Sequence, residues 1–241
     1  MNWFKYSSPQ TFYPLAGKLI PWFAIAAAIL IAYGLYLGML IAPTDFQQGD
    51  SYRIIFVHVP ASILSMFLYV VMAFYAALGI ALNARLSYTM ATSIAPTGAM
   101  FTFLALLTGS FWGKPTWGAW WVWDARITSE LILLFLYIGY ISLQAAIDDK
   151  RRSDRASAVL AIVGVINVPI IYFSVKWWNT LHQGSTINFG KSSTMAPIML
   201  KAMLIMALGF WLYSVAVIFT RARREIEDRE RHANWLKQFK E

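Results

Sequence analysis

The sequence predicts an all-α integral membrane protein with six transmembrane helices, and three observations carry that reading. Of the 241 residues, 59% are hydrophobic and only 13% charged, with a mean hydropathy of +0.53; soluble domains carry about 25% charged residues. Apolar runs recur at about 20–42, 58–82, 91–111, 127–147, 157–175 and 197–220. Each approaches the ~20 residues that cross a hydrocarbon core. Lys and Arg then divide unevenly between the connections, fourteen on one side and six on the other. By the positive-inside rule this puts both termini in the cytoplasm.

Residues 1–19, with Lys5 and Lys18, read as a short internal tail. The first apolar run exceeds the ~7–15-residue core of a cleaved signal and is expected to stay as a helix. Pro96 lies near the start of the third run, where a missing N–H costs little. Pro169 falls inside the fifth, the shortest. After Thr220 a charged tail, residues 221–241, is expected as a solvated or interfacial helix with mixed-sign pairs. The net charge of +8 resides mostly in membrane-flanking segments, so topology explains it better than a nucleic-acid partner does. There is no cysteine, which excludes disulfides, thiolate chemistry and cysteine-ligated clusters.

Three external segments stand out in one six-helix membrane domain spanning 1–241. Ala42–Pro60 delivers His58 to the outer end of helix 2. Residues 176–197 carry His182 between helices 5 and 6. Between helices 3 and 4 lies Trp112–Arg126, WGKPTWGAWWVWDAR, with five of the chain's eleven tryptophans. This stretch is too polar and too broken by Gly and Pro to span lipid, and too aromatic for an ordinary solvated loop. It reads as an amphipathic platform at the membrane surface. Trp117, Trp120, Trp121 and Asp124 follow i, i+3, i+4, i+7 spacing, so one helical face is expected to be nearly all indole. An aromatic belt would populate both interfaces. Here Trp112, Trp117, Trp120, Trp121, Trp123, Trp177 and Trp178 share one side, which favours a platform for a flat ligand.

The chain has three histidines, His58, His182 and His232. A lone histidine at a helix end is ordinarily a structural hydrogen-bonding residue, and His232 in the tail reads as surface. His58 and His182, however, share the outer boundary and flank the platform. Zinc would want three or four close ligands. Two imidazoles from different helix pairs suit axial ligation of haem iron, with indoles to pack against the macrocycle. Arg53 and Arg126 are candidates for the propionates, against the plainer reading that both snorkel to headgroups. Lys114 and Lys176 are weaker ones. Asp124 is placed to cap helix 4. Glu130, in the outer turn of that helix, is expensive in lipid and has no identifiable partner. No phosphate loop, nucleophile with a base, or convergent carboxylate pair is evident, so a carrier is expected rather than an enzyme. Two other classes stay open: a cytochrome b-like redox subunit, which would place histidines within helices and towards both leaflets, and a small-solute permease. The permease would show broken helices near the midplane, and Pro169 with Asn167 is the only hint of that.

The segment WGKPTWGAWWVWDARITSE resembles the WWD signature of haem-handling proteins in cytochrome c maturation. The likeness extends to QQGDSYRIIFVHVP before it and WWNTLHQGST after it, covering roughly residues 20–220. In length and helix number the chain is similar to the CcmC-type members rather than the longer CcmF and CcsA-type synthases. The resemblance implies a haem b with His58 and His182 as external axial ligands. It implies that Trp112, Trp117, Trp120, Trp121, Trp123 and Asp124 hold the exposed haem face, and that Arg53 and Arg126 steady the propionates. It further implies a bacterial inner-membrane protein whose periplasmic loops deliver haem to the chaperone CcmE. Its implied partners in an ABC transporter complex are CcmA and CcmB, with the small CcmD.

Overall fold

Helices form along the apolar runs and continue past most of their ends. The computed structural model describes residues 7–178, 180–182, 193 and 195–239. Lys5, Trp3, Lys191 and most of the loop after His182 lie outside the described residues. Six helical spans long and apolar enough to cross a membrane run Pro9–Ile41, Asp50–Leu82, Arg85–Trp117, Ala125–Ala146, Lys150–Trp177 and Pro197–Arg229. Helix α1 (Pro9–Leu35) ends in a π-helical turn, Tyr36–Ile41, and α2 (Ile55–Leu82) is entered through a 3-10 turn, Asp50–Ile54. Then come α3 (Arg85–Trp117) and α4 (Ala125–Ala146). The fifth span is two helices, α5 (Lys150–Gly164) and α6 (Asn167–Trp177), and α7 (Pro197–Arg229) precedes a short α8 (Asn234–Lys237). Among the described residues the one extended pairing is an isolated bridge between Asp45 and Gly49.

Three expectations need correction. Residues 9–19 are the first turns of α1 rather than a tail. The tryptophan segment is not one helix with an indole face, because α3 runs through Pro115 to Trp117 and stops at Gly118. Gly118 takes φ 77°, the left-handed conformation that ends helices, and its N–H bonds the Lys114 carbonyl at 3.1 Å. Trp120, Trp121 and Trp123 therefore sit in a non-helical loop, and their helical spacing to Trp117 has no structural counterpart. Finally, the charged tail is not simply solvated. Its first part extends α7, and its second folds back so that Leu236 is fully buried and Trp235 and Phe239 pack their rings against Tyr13 of α1.

The helices pack as two close pairs, α2 with α3 and α1 with α7, with α4 leaning on α3, α5 and α6. Small residues allow that closeness, as membrane helices require where lipid competes equally well for apolar side chains. A Cβ on Gly34 would stand 2.7 Å from Met206 Sδ, and one on Gly209 2.8 Å from Ile31 Cγ1, so α1 and α7 touch almost backbone to side chain. At the α5–α6 break, 165–166, Asn167 Nδ2 donates to the Ser129 carbonyl of α4 at 2.8 Å and ties α6 to that helix.

The end away from the tryptophans is tied by charge. Arg229 donates from Nη1 and Nη2 to both oxygens of Asp154 at 2.6 and 2.8 Å, and from Nε to Glu225 at 2.6 Å. From α4, Gln144 Nε2 donates to Asp154 Oδ1 at 3.2 Å. The Asp154 and Arg229 side chains are 8% and 14% exposed, whereas Lys150, 4.0 Å from Glu225, is 58% exposed. Removing one member of such a buried pair strands the other, at roughly 3–5 kcal/mol. Asp154→Ala should therefore lower unfolding stability in detergent by an amount of that order. Lys150→Ala should change it by less than about 1 kcal/mol. Equal, small effects in a denaturant titration would show that the pair does not lock α5 to α7.

Candidate functional site

At the tryptophan end, three elements bring the candidate residues together. The second turn of α2 carries His58, the last three turns of α3 carry Thr108, Gly109, Trp112 and Trp117, and the first turns of α4 carry Arg126 and Glu130. The loop beyond α6 adds His182. Both histidines line one small cavity, of about 30 Å³, with Ser62, Gly109, Trp121, Arg126 and Glu130. Gly109 lets α3 approach the His58 ring, since a Cβ there would lie 3.0 Å from His58 Cε1.

Each imidazole is held by one nitrogen. The Thr108 hydroxyl donates to the Leu104 carbonyl at 2.6 Å, so its oxygen is left to accept from His58 Nδ1–H at 3.0 Å. His182 Nδ1 lies 3.1 Å from Asp124 Oδ2. Burial holds the His182 imidazole below its ordinary value of 6.5; the hydrogen bond to Asp124 works the other way, and Arg126 adds to the lowering. The ring is therefore neutral near pH 7, donates Nδ1–H to the carboxylate, and keeps a lone pair on Nε2. In both rings Nδ1 meets a side-chain oxygen, the kind of outer partner that orients a metal-binding histidine.

Asp124 does two jobs at once. Its Oδ1 accepts the Ile127 N–H at 2.8 Å and caps α4, while Oδ2 holds His182. The cap is the role that its place before an apolar run suggests; the bond to a residue 58 positions away is not visible in sequence. The tryptophans divide by environment. Trp112 packs edge-on to His58, with centroids 5.7 Å apart, and Trp117 against His182 at 4.8 Å. Trp112 Nε1 donates to Gln48 Oε1 at 2.7 Å, so the loop before α2 steadies the indole that backs His58. Trp121 lines the cavity and meets Trp123 edge-on at 5.4 Å. Trp120 and Trp123 are 54% and 77% exposed.

The two arginines are placed differently. Arg126 lines the cavity and donates from Nη1 to the Ile171 carbonyl of α6 at 3.2 Å. Arg53 stands outside that lining, with Nε on Asp50 at 3.0 Å and Nη1 on the Gly38 carbonyl at 2.7 Å, bracing the loop against the π turn of α1. Lys114 donates to the Gly118 carbonyl at 3.1 Å and braces the end of α3; Lys176 lies 5.8 Å from the Phe173 ring. Glu130 has the partner that sequence could not name: Ser65 Oγ donates to its Oε1 at 2.6 Å across the α2–α4 contact. His232 sits at the opposite end of the molecule, beside Arg231. Thr108 and Gln48 escaped the sequence reading. The polar TGS interruption at the end of an apolar run was the only signal of the first.

Comparison with known proteins agrees along nearly the whole chain. A family model described as "CcmC: Heme exporter protein C" matches residues 2–237. The Heme exporter protein C of Escherichia coli (strain K12) is 46% identical over 231 residues, covering 96% of this chain and 93% of that protein. That of Bradyrhizobium diazoefficiens is 46% identical over 220 residues, covering 91% and 83%. A protein of Marchantia polymorpha, provisionally named a cytochrome c biosynthesis ccmC-like mitochondrial protein, is 43% identical over 197 residues, covering 82% and 81%. With a match of this extent and identities well above 30% to relatives of nearly its own length, the chain belongs to the CcmC, or haem exporter protein C, family.

Proposed function

We propose that this multi-pass membrane protein holds haem b at the periplasmic face of the bacterial inner membrane and delivers it to the chaperone CcmE during c-type cytochrome biogenesis. CcmA, CcmB and CcmD are its proposed partners. One observation carries the reading: two histidines, each with Nδ1 engaged by a neighbouring side chain, line a single cavity with a cation and an indole. Among the described residues no three His, Asp or Glu side chains gather as a set that could hold a bare metal ion. Two imidazoles suit instead an iron that arrives with four equatorial nitrogens of its own. The cavity residues fit such a group. Trp121, Ala105, Leu106 and Ile127 give its lining an apolar part, Arg126 supplies positive charge for a propionate, and Gly109 lets α3 come close to His58.

Haem bound between two histidines would supply a coordinatively filled iron with no site for oxygen or peroxide. The protein's part is then to hold and release. His58 is fixed on a helix with Thr108 and Trp112 behind it, and His182 on a loop with Asp124 and Trp117 behind it. The exposed Trp120 and Trp123 are the surface proposed for the chaperone. The redox-subunit reading wants histidines towards both leaflets, and here both cluster at one end. The permease reading loses its hint at Asn167, whose amide is engaged with α4.

Visible spectra of the detergent-purified protein, oxidised and dithionite-reduced, test the site. The wild type should show a sharp low-spin b-type spectrum, His58→Ala and His182→Ala should each lose most of the bound haem, and His232→Ala should keep it. Full haem in the double alanine variant would refute the axial assignment. Asp124→Asn should keep the helix cap, since Asn caps as well as Asp, yet weaken haem binding by about 10–100-fold through loss of the histidine's carboxylate partner. A folded Asp124→Asn protein with wild-type affinity would remove Asp124 from the site. Joint replacement of Trp120 and Trp123 by Ala should slow transfer of haem to CcmE several-fold and leave bound haem unchanged. Loss of bound haem to the same degree would assign these two indoles to haem instead.

A further inference from the structure

Helix α6 is bonded to one neighbour and stands off another. Asn167 Nδ2 donates to the Ser129 carbonyl and Arg126 donates to the Ile171 carbonyl, and both partners are on α4. Towards α2 the same helix leaves a groove of about 740 Å³, within the size range of ligand sites. Phe67 and Val70 of α2 form one wall. Ile166 of the α5–α6 break lines its inner end, and Phe173 and Trp177 of α6 line its mouth at the histidine end. Every lining side chain is apolar or aromatic, and none is Gly, Ala, Ser or Thr. At the mouth the Phe173 and Trp177 rings stack with centroids 5.1 Å apart, and the Lys176 ammonium lies 5.8 Å from the Phe173 ring. Lys176 is exposed and makes no ion pair among the described residues.

We propose that this groove binds an acyl chain of one phospholipid whose anionic headgroup is held at Lys176. Three features select that occupant. A partner helix would close on small residues, as α1 and α7 do at Gly34 and Gly209, and the groove offers none. Its length suits one leaflet: α6 has eleven residues and rises about 15 Å, half of a hydrocarbon core of about 30 Å. The charge then falls at headgroup level, where Trp177 and Trp178 are exposed beside Lys176 in the manner of an interfacial aromatic pair. A cation there without a carboxylate partner complements a lipid phosphate. The position gives the lipid a consequence. Helix α2 carries His58 and α6 leads into the loop of His182, so a chain seated between them fills the gap between the two elements that bear the histidines.

The test uses the full-length protein in detergent, without haem, and native mass spectrometry with two phospholipids of identical acyl chains, phosphatidylglycerol and phosphatidylcholine. The wild type should retain one phosphatidylglycerol under activation that strips other lipid, with a preference over phosphatidylcholine of about fivefold. Lys176→Gln should abolish that preference, while Lys201→Gln, which removes an exposed cation in the first turns of α7, should keep it. Val70→Trp adds bulk to the α2 wall and should lose the retained lipid altogether. Ile132→Trp, at an exposed position of α4 outside the groove, should keep it. Lys176→Gln alters only an exposed side chain, so its result stands whether or not the bulkier variant folds. Absence of a retained lipid from the wild type would overturn the proposal. So would equal retention of both lipids that Lys176→Gln leaves unchanged, the behaviour of lipid that merely coats the helices. Retention is read without haem, so neither outcome touches the haem reading, which the visible spectra test separately.

Discussion

The bond pair on Asp124 is the constraint on which the site depends. One carboxylate oxygen closes the start of α4 and the other holds His182, so helix geometry and ligand geometry share a single side chain. The cap fixes where α4 begins, and hence where Arg126 and Glu130 stand in its first and second turns. It also fixes the end of the tryptophan loop, whose start is set by the left-handed Gly118. Between these two stops only five residues remain, and three of them are tryptophan. The loop has little room to rearrange without unwinding a helix, which a membrane-level backbone resists because its freed polar groups find no water.

Polar groups at this end are satisfied in pairs that cross between helices. Arg126 joins α4 to α6, Ser65 joins α2 to Glu130 on α4, Thr108 joins α3 to His58 on α2, and Gln48 joins the first loop to α3. Each pair satisfies groups that would otherwise be costly in an apolar surround, and together they triangulate the cavity. Apolar packing among membrane helices is tolerant of sliding, since lipid tails compete on equal terms. Directional bonds are not, and they set the register at which the two histidines come to line one cavity.

The sequence made the span count and the residue types of the site legible, for physical reasons that differ. Hydropathy registers over twenty residues and survives errors at each end, so six spans could be read despite the misplaced starts of α1 and α2. The cap role of Asp124 is local and was legible too. The all-indole face was not, because i, i+3, i+4 spacing describes a surface only if the helix continues, and one glycine with positive φ decides that it does not. Arg53 and Arg126 look equivalent in sequence. What separates them is a carbonyl: Gly38, freed in the π turn, takes the first, and Ile171 takes the second in a way that leaves it on the cavity wall.

The two histidines also differ in what holds them, and this difference bears on how a carrier works. His58 lies within a helix, against α3 at Gly109, and its ring partner Thr108 is itself anchored to the Leu104 carbonyl. Its support is local to one helix pair. His182 follows α6, where its own N–H meets Thr180 Oγ1 at 3.1 Å, and its ring depends on two residues of the tryptophan segment, Asp124 and Trp117. Whatever shifts that segment shifts His182 as well, while His58 keeps its helix-bound supports. The exposed Trp120 and Trp123 belong to the same eight-residue stretch, 117–124, so the partner proposed to grip them would pull on the loop that positions His182 and leave His58 in place. A site built on two helices would hold its cargo equally from both sides. On the function proposed here, His58 would be held by a helix pair and His182 by the segment that carries the surface proposed for the chaperone.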